Sequence, residues 1–275
     1  MCRWLAYAGD PIPIELLVLR PRYSLIDQSL HAQLGATTTN GDGFGLGWYG
    51  DVDTPGVYRS VHPAWNDRNL LELGRQVSSR LFLAHIRAST GTAVQETNTH
   101  PFRHGRWLFA HNGLVREFPK LRRDMLLAVD PPLIQSIEGS TDSELLFYLS
   151  LTFGLENEPV GALERTAGFV EELGERHGVE HPLQMSAVVT DGARILAARY
   201  SSERQSRSLY FSTNVRTLRR QHPENEELEL LSDDARVIVS EPLGDLVGAW
   251  NEVPESHVAI VQPGDDELRP FTPTR

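Results

Sequence analysis

Cysteine is almost missing from this chain: among its 275 residues there is one, Cys2. No intrachain disulfide can form, and a zinc site built on several cysteines is excluded. Such usage suits a reducing cytoplasm, which is the expected location. Positive charge is also short. The 26 Lys and Arg stand against 37 Asp and Glu, for a formal net charge of −11. That balance argues against a nucleic-acid partner, because phosphate binding needs clustered cations. The nearest thing to a basic run, KLRRD (Lys120 to Asp124), reads as a solvated helix face.

Long apolar runs are missing too. No uncharged stretch approaches the ~20 residues of a membrane span. The short run WLAYA near the start has no basic leader and is broken by Asp10, Pro11 and Pro13, so no signal peptide is expected. Several catalytic signatures are absent as well. NGDGFGLGWY (40–49) has neither the dinucleotide fingerprint nor the Gly-Lys-Ser/Thr ending of a P-loop. No Gly-x-Ser-x-Gly elbow occurs. His85, His100, His104 and His111 do not form a His-Glu-x-x-His pattern and read as core or surface histidines. No metal and no cofactor are expected.

What is present is an ordinary globular composition, 40% hydrophobic and 23% charged, which gives no sign of disorder. Strand-like runs occupy 2–9, 43–49, 56–61, 81–89 and 106–113. Helices are expected over 140–155, with Ser140 or Thr141 as N-cap, and over 159–178, which opens on Pro159 and ends at Gly178. Strands return at 183–192, 194–202, 209–214, 236–243 and 257–264, the first two joined by a TDGAR hairpin. Strands, then helices, then strands, without strict alternation, favour an α+β layered architecture. One domain over 2–275 is expected, and the acidic stretch 222–234 reads as a surface excursion.

Five short stretches carry candidate chemistry. Cys2 is either a small buried hydrophobe or a nucleophile. Its small side chain favours removal of Met1, which would free an α-amine with a pKa of about 7.7–8.0 to act as the thiol's base. Glycine at 41, 43, 45 and 47 strips one face of a strand, letting another backbone come close; Asp42 beside it suits a turn or a site. Arg87 in AHIRAST either clamps a carboxylate bidentately or makes a structural salt bridge. Asn112 and Gly113 either aim an amide and a backbone N–H at an oxyanion or form a hairpin turn, the stronger reading of the pair alone. Asp142 in GSTDSE suits the first turn of a capped helix.

Taken in order, these motifs resemble the class II glutamine amidotransferases, members of the N-terminal nucleophile hydrolase superfamily. The resemblance covers roughly the first 155 residues, and the tail is similar to stand-alone members, including the γ-glutamyl hydrolase of ergothioneine biosynthesis. It implies a four-layer αββα sandwich. It also implies Cys2 as nucleophile, Asn112 and Gly113 as oxyanion hole, Arg87 with Thr90 on the α-carboxylate of glutamine, and Asp142 on the α-ammonium. Where many synthase-linked members have Arg-Gly-x-Asp, this chain has Asn40-Gly41-Asp42-Gly43, and Gly91 replaces a His after the Thr. The implied reaction is hydrolysis of a γ-glutamyl amide through a Cys2 thioester. With free glutamine, the ammonia would pass to a separate synthase; with a γ-glutamyl conjugate, an amine would be released. The alternative from a different class is an idle glutamine-binding or regulatory subunit.

Overall fold

The apolar runs at the two ends of the chain become two antiparallel sheets lying face to face. The structure, a computed structural model, describes residues 2–30, 39–89, 91–262 and 266–274. The first sheet takes β1 (Arg3–Pro13), β2 (Phe44–Trp48), β3 (Gly56–Ser60) and β4 (Ser78–Ile86) from the first third of the chain. The second takes β5 (Phe102–His104), β6 (Trp107–Val115), β7 (Leu183–Thr190) and β8 (Ile195–Ser201). Later in the chain β9 (Tyr210–Ser212), β10 (Arg236–Val239) and β11 (Trp250–Glu252) return to the first sheet, and β12 (His257–Val261) and β13 (Glu267–Pro270) to the second. The strand orders are β11-β9-β10-β1-β4-β2-β3 and β13-β12-β8-β7-β6-β5.

Both sheets are covered on their outer faces, so their central strands are apolar on both sides and read as continuous runs. Along β1, Trp4 and Ala6 turn into the layer between the sheets while Leu5 and Tyr7 turn outward. Helices α1 (Glu15–Val18), α2 (Leu25–Leu30) and α3 (Arg68–Gln76) lie over the outer face of the first sheet. On the second sheet lie α4 (Phe118–Ala128), the short α5 (Pro131–Ile134), α6 (Asp142–Thr152) and α7 (Pro159–His177). Helix α8 (Val215–Gln221) adds Val215 to the apolar cluster outside the first sheet. The layers run helix, sheet, sheet, helix, as the resemblance implied.

Local chemistry explains most boundaries. Thr141 caps α6 by accepting the Glu144 N–H at 3.2 Å. Helix α7 ends on Gly178 in the left-handed conformation (φ 63°). The basic run Lys120 to Asp124 lies on α4, its Lys and Arg side chains exposed. The acidic stretch 222–234 stays at the surface, where Asp233 pairs with Arg216 and Arg219. Two features depart from the sequence reading. β1 runs on to Pro13 through an irregularity between Ala8 and Ile12. The three- and four-residue strands β5, β11 and β13 and the helices α1, α2, α3, α5 and α8 were not foreseen. Among the described residues, no helix is long and apolar enough to cross a membrane.

The bare face of β2 has a specific use. A Cβ on Gly45 would lie 2.1 Å from the carbonyl oxygen of His100, and one on Gly47 would lie 2.7 Å from Leu108 Cδ1. The second sheet therefore approaches the first over these glycines. Backbone cannot yield as a leucine side chain can. Gly45→Ala should cost ~3 kcal/mol, at the upper end of overpacking penalties, and Gly47→Ala ~1 kcal/mol. Urea unfolding of the two variants checks this; equal losses would mean the close approach is not rigid.

Candidate active site

At one end of the layer between the sheets the apolar side chains give way to polar ones. In the β1–β4 ladder Trp4 pairs with His85 and Arg3 with Ile86. Side chains alternate, so the next inward positions after Trp4 and His85 are Cys2 and Arg87. The Cys2 sulfur accepts the Ala88 N–H at 3.4 Å and faces the Ala88 carbonyl at 3.5 Å. Burial pushes the thiol pKa up, and the Ala88 amide and the charges of Arg87 and Arg3 pull the other way without prevailing. At neutral pH the group is a thiol, so nucleophilic attack needs a base to take its proton. Just outside, Arg3 is sealed in a buried ion pair with Glu241 at 2.5 Å and donates to the Cys2 carbonyl at 3.0 Å. Removing either charge would leave the other buried and uncompensated, so this pair pins the start of β1.

Arg87 is 3% exposed, and its guanidinium is already held by the loop that follows. Nη2 donates to Thr92 Oγ1 at 2.8 Å and to the Ala93 carbonyl at 3.0 Å. No carboxylate is bonded to it, so the structural salt bridge is not what this arginine makes. Asp42 steadies the same loop: its carboxylate accepts the Ser89 N–H at 2.7 Å, and its own N–H bonds the Arg87 carbonyl at 3.2 Å. Thr90, expected beside Arg87, lies outside the described residues, as does Met1.

Asn112 and Gly113 sit inside β6, paired with Ser186 and Met185 of β7. They are not a turn, which corrects the stronger sequence reading of the pair. The reason is the neighbouring strand: β7 supplies a ladder that continues to Val115. Asn112 follows Leu108 and Ala110 on the inward face, is 4% exposed, and its side-chain amide has no hydrogen-bond partner among the described residues. Gly113 is required by crowding, since a Cβ there would lie 1.9 Å from the Gln184 carbonyl oxygen. Asp142 arrives from the other side of this sheet, at the start of α6. Its carboxylate accepts the Val115 N–H and the Ser143 N–H, both at 2.7 Å, which locks the helix to the end of β6.

Two supporting residues escaped the sequence reading. Asn98 is fully buried; its amide donates to the Ala93 carbonyl at 3.0 Å and its oxygen accepts the Ser140 N–H at 2.8 Å. It thus stitches the Arg87 loop to the lead-in of Asp142. His111 bonds Ser143 Oγ through Nδ1 at 2.9 Å and the Gln184 carbonyl through Nε2 at 3.2 Å. A carbonyl only accepts, so Nε2 carries the proton. Burial lowers the His111 pKa, and the charge of Asp142 opposes that. The signal for His111 was its place one residue before Asn112; Asn98 had none beyond lying next to Thr99-His100.

Of the four candidate histidines, His85, His100 and His111 lie in the core. The rings of His85 and His100 lie 4.2 Å apart between the sheets, and their four nitrogens are buried without a hydrogen-bond partner among the described residues. Burial lowers His85 to about 3 and His100 well below the ordinary value. Below the unfolded value of about 6.5, the unfolded chain binds protons that the folded chain refuses. Stability therefore falls as pH drops from 6.5 toward 3. Urea unfolding at pH 7 and pH 5 should show His85→Leu losing ~2 kcal/mol less than wild type over that interval. Equal losses would remove His85 from the acid response.

The arrangement can do specific chemistry. The Cys2 thiol, the Arg87 guanidinium and the Asn112 amide share one end of the layer, and the Asp142 carboxylate is fixed at the start of α6 behind strand β6. Residues 22–264 match the family described as "Glutamine amidotransferases class-II". The chain is 30% identical to the "Probable glutamine amidotransferase DUG3" of Saccharomyces cerevisiae, over 98% of this chain and 84% of that protein. It is 28% identical to the "Gamma-glutamyl-hercynylcysteine sulfoxide hydrolase" of Mycolicibacterium smegmatis, over 95% and 96% of the two chains. A solved glutamine aminotransferase class-II domain protein from Silicibacter pomeroyi superposes with a TM-score of 0.73 at 33% identity, covering 99% of this chain and 100% of that one. The match spans the loop of Arg87, strand β6 and the start of α6 alike, and the chain belongs to the class II glutamine amidotransferases.

Proposed function

We propose that the protein hydrolyses a γ-glutamyl amide, with Cys2 as nucleophile. The observation that carries this reading is the shared inward face of Cys2, Arg87 and Asn112, where the Asn112 amide has no hydrogen-bond partner among the described residues. Arg87 receives the α-carboxylate of the glutamyl group and Asp142 the α-ammonium, a cation and an anion for the two ends of a zwitterion. Thr90 assists on the carboxylate side. The Cys2 sulfur attacks the γ-carbonyl, forming a C–S bond as the carbonyl oxygen becomes an oxyanion facing the Asn112 amide and the Gly113 N–H. The thiol's proton passes through the base to the leaving nitrogen, the C–N bond breaks, and a thioester remains. Water then attacks the thioester, releasing glutamate and returning the proton to sulfur.

Burial keeps the Cys2 thiol protonated, so the base is essential. Removal of Met1 exposes the α-amine of Cys2, whose ordinary pKa of about 7.7–8.0 suits the role. The relatives named for hydrolysing a γ-glutamyl compound support a conjugate as donor, with an amine as the second product.

A diazo-ketone analogue of glutamine should label wild-type protein once, at Cys2, and mass spectrometry should find the N-terminus at that residue. Cys2→Ala should neither label nor release glutamate. Retained turnover in Cys2→Ala would move the nucleophile elsewhere.

The oxyanion assignment is tested separately. Asn112→Gly removes the donor, and Asn112→Asp replaces it with a negative charge. Loss of one such donor costs on the order of 10²–10³ in kcat, and the Asp variant should fall further. Near-normal kcat in Asn112→Gly would reduce Asn112 to a strand residue.

A further inference from the structure

A glutamyl group carries one carboxylate, and Arg87 answers it. A second arginine near the thiol has no such use. Arg207 lies in the connection from β8 to β9, and it is partly exposed, while its Nε is buried. No hydrogen bond or ion pair holds it among the described residues. The neighbouring cation Arg3 is neutralised by Glu241, so Arg207 is left with its charge uncompensated.

The segment around it is held firmly. Gln184 Nε2 donates to the Gln205 carbonyl at 2.7 Å, and Ser206 is bonded by Glu255 and Arg199. Ser208 Oγ donates to the Ser240 carbonyl at 2.8 Å, and Ser240 Oγ in turn accepts the Trp4 N–H at 2.7 Å. These anchors fix Arg207 on the Gln184 side of β6, beside the start of β1. Ser240 thus links Ser208, the next residue after Arg207, to Trp4, two residues after Cys2.

The surface between Arg207 and Asn112 is polar and unsatisfied. Ser186 pairs with Asn112, so the two side chains share the inward face. The Ser186 hydroxyl is fully buried, and neither it nor Gln184 Oε1, two residues earlier on the same face, has a hydrogen-bond partner among the described residues. Buried polar atoms are normally bonded, so orphans beside a reactive thiol point to a ligand.

We infer that Arg207, with Ser186, forms a leaving-group subsite for γ-glutamyl amides whose amine carries a carboxylate, such as γ-glutamyl amino acids. This rests on the hydrolysis assigned to Cys2. In that reaction water cleaves the γ-amide C–N bond, and the carboxylate-bearing amine departs with the proton taken from sulfur. Arg207 binds its carboxylate through the guanidinium fork and does not enter the bond changes. Free glutamine, which releases ammonia, leaves the subsite unused.

The test measures glutamate release from γ-glutamyl-glycine, from γ-glutamyl-methylamide and from glutamine. Wild type should favour γ-glutamyl-glycine over the methylamide by about 10–100-fold in kcat/KM, the range of one charge-assisted contact. Arg207→Ala should collapse that ratio to near one, mainly through KM, and Arg207→Lys should keep part of it. Arg207→Glu should reverse it and favour γ-glutamyl-ethylenediamine, whose leaving amine carries a cation. If both amides are cleaved with a ratio that Arg207→Ala and Arg207→Glu leave unchanged, the subsite is wrong while the hydrolase reading stands. If none of the substrates yields glutamate with wild-type protein, the hydrolase reading fails and takes the subsite with it.

Discussion

The proposed nucleophile, Cys2, directly precedes β1, so the site depends on that strand not fraying. Chain termini are ordinarily the least ordered part of a domain. Here the first strand lies inside the seven-stranded sheet, paired with β4 on one edge and β10 on the other. The buried Arg3–Glu241 pair adds a fixed point directly after Cys2, and Ser240 bonds both the N–H and the carbonyl of Trp4. The position of every other group at the site is measured from this anchored start.

Around it the charges are divided by sheet. The first sheet brings the thiol and Arg87; the second brings the amide of Asn112 and, through α6, the carboxylate of Asp142. Asn98 and the Ala93 carbonyl join the two halves, since that carbonyl accepts from both Arg87 and Asn98. Behind them His85 and His100 are buried between the sheets, where burial holds both rings neutral. Burial of this kind strengthens electrostatic contacts at the end of the layer.

Much of this was legible before any coordinates. The long strands and the helices over 142–152 and 159–177 announced themselves because both faces or one clear stripe are apolar, and because Thr141, Pro159 and Gly178 mark their ends. The alternating glycines of β2 announced a close backbone approach, and His100 supplies it. The three- and four-residue strands β9 and β10 were read because buried apolar residues such as Leu209, Val237, Ile238 and Val239 mark their runs, whereas β5, β11 and β13 are largely exposed, polar segments without such a run and were missed. Helix α3 did have a signal: Asp67 caps it by accepting the Leu70 N–H at 3.0 Å. Asn112-Gly113 was the instructive error. Locally the pair favours a turn, but the ladder to β7 and the lack of room beside the Gln184 carbonyl fix it as extended backbone. Asn98 and the Arg3–Glu241 pair act across 42 and 238 residues of sequence, distances at which no local pattern speaks.

The central place of β1 also has a consequence for how the chain is made. Its partners are residues 78–86 and 236–239, so one of its edges stays open until most of the chain has left the ribosome. An unfilled strand edge invites mispairing, and ladders between distant segments form slowly because long loops must close first. Assembly of the first sheet is therefore a late event governed by sequence separation, and β1 waits for residues 236–239 to fill its second edge.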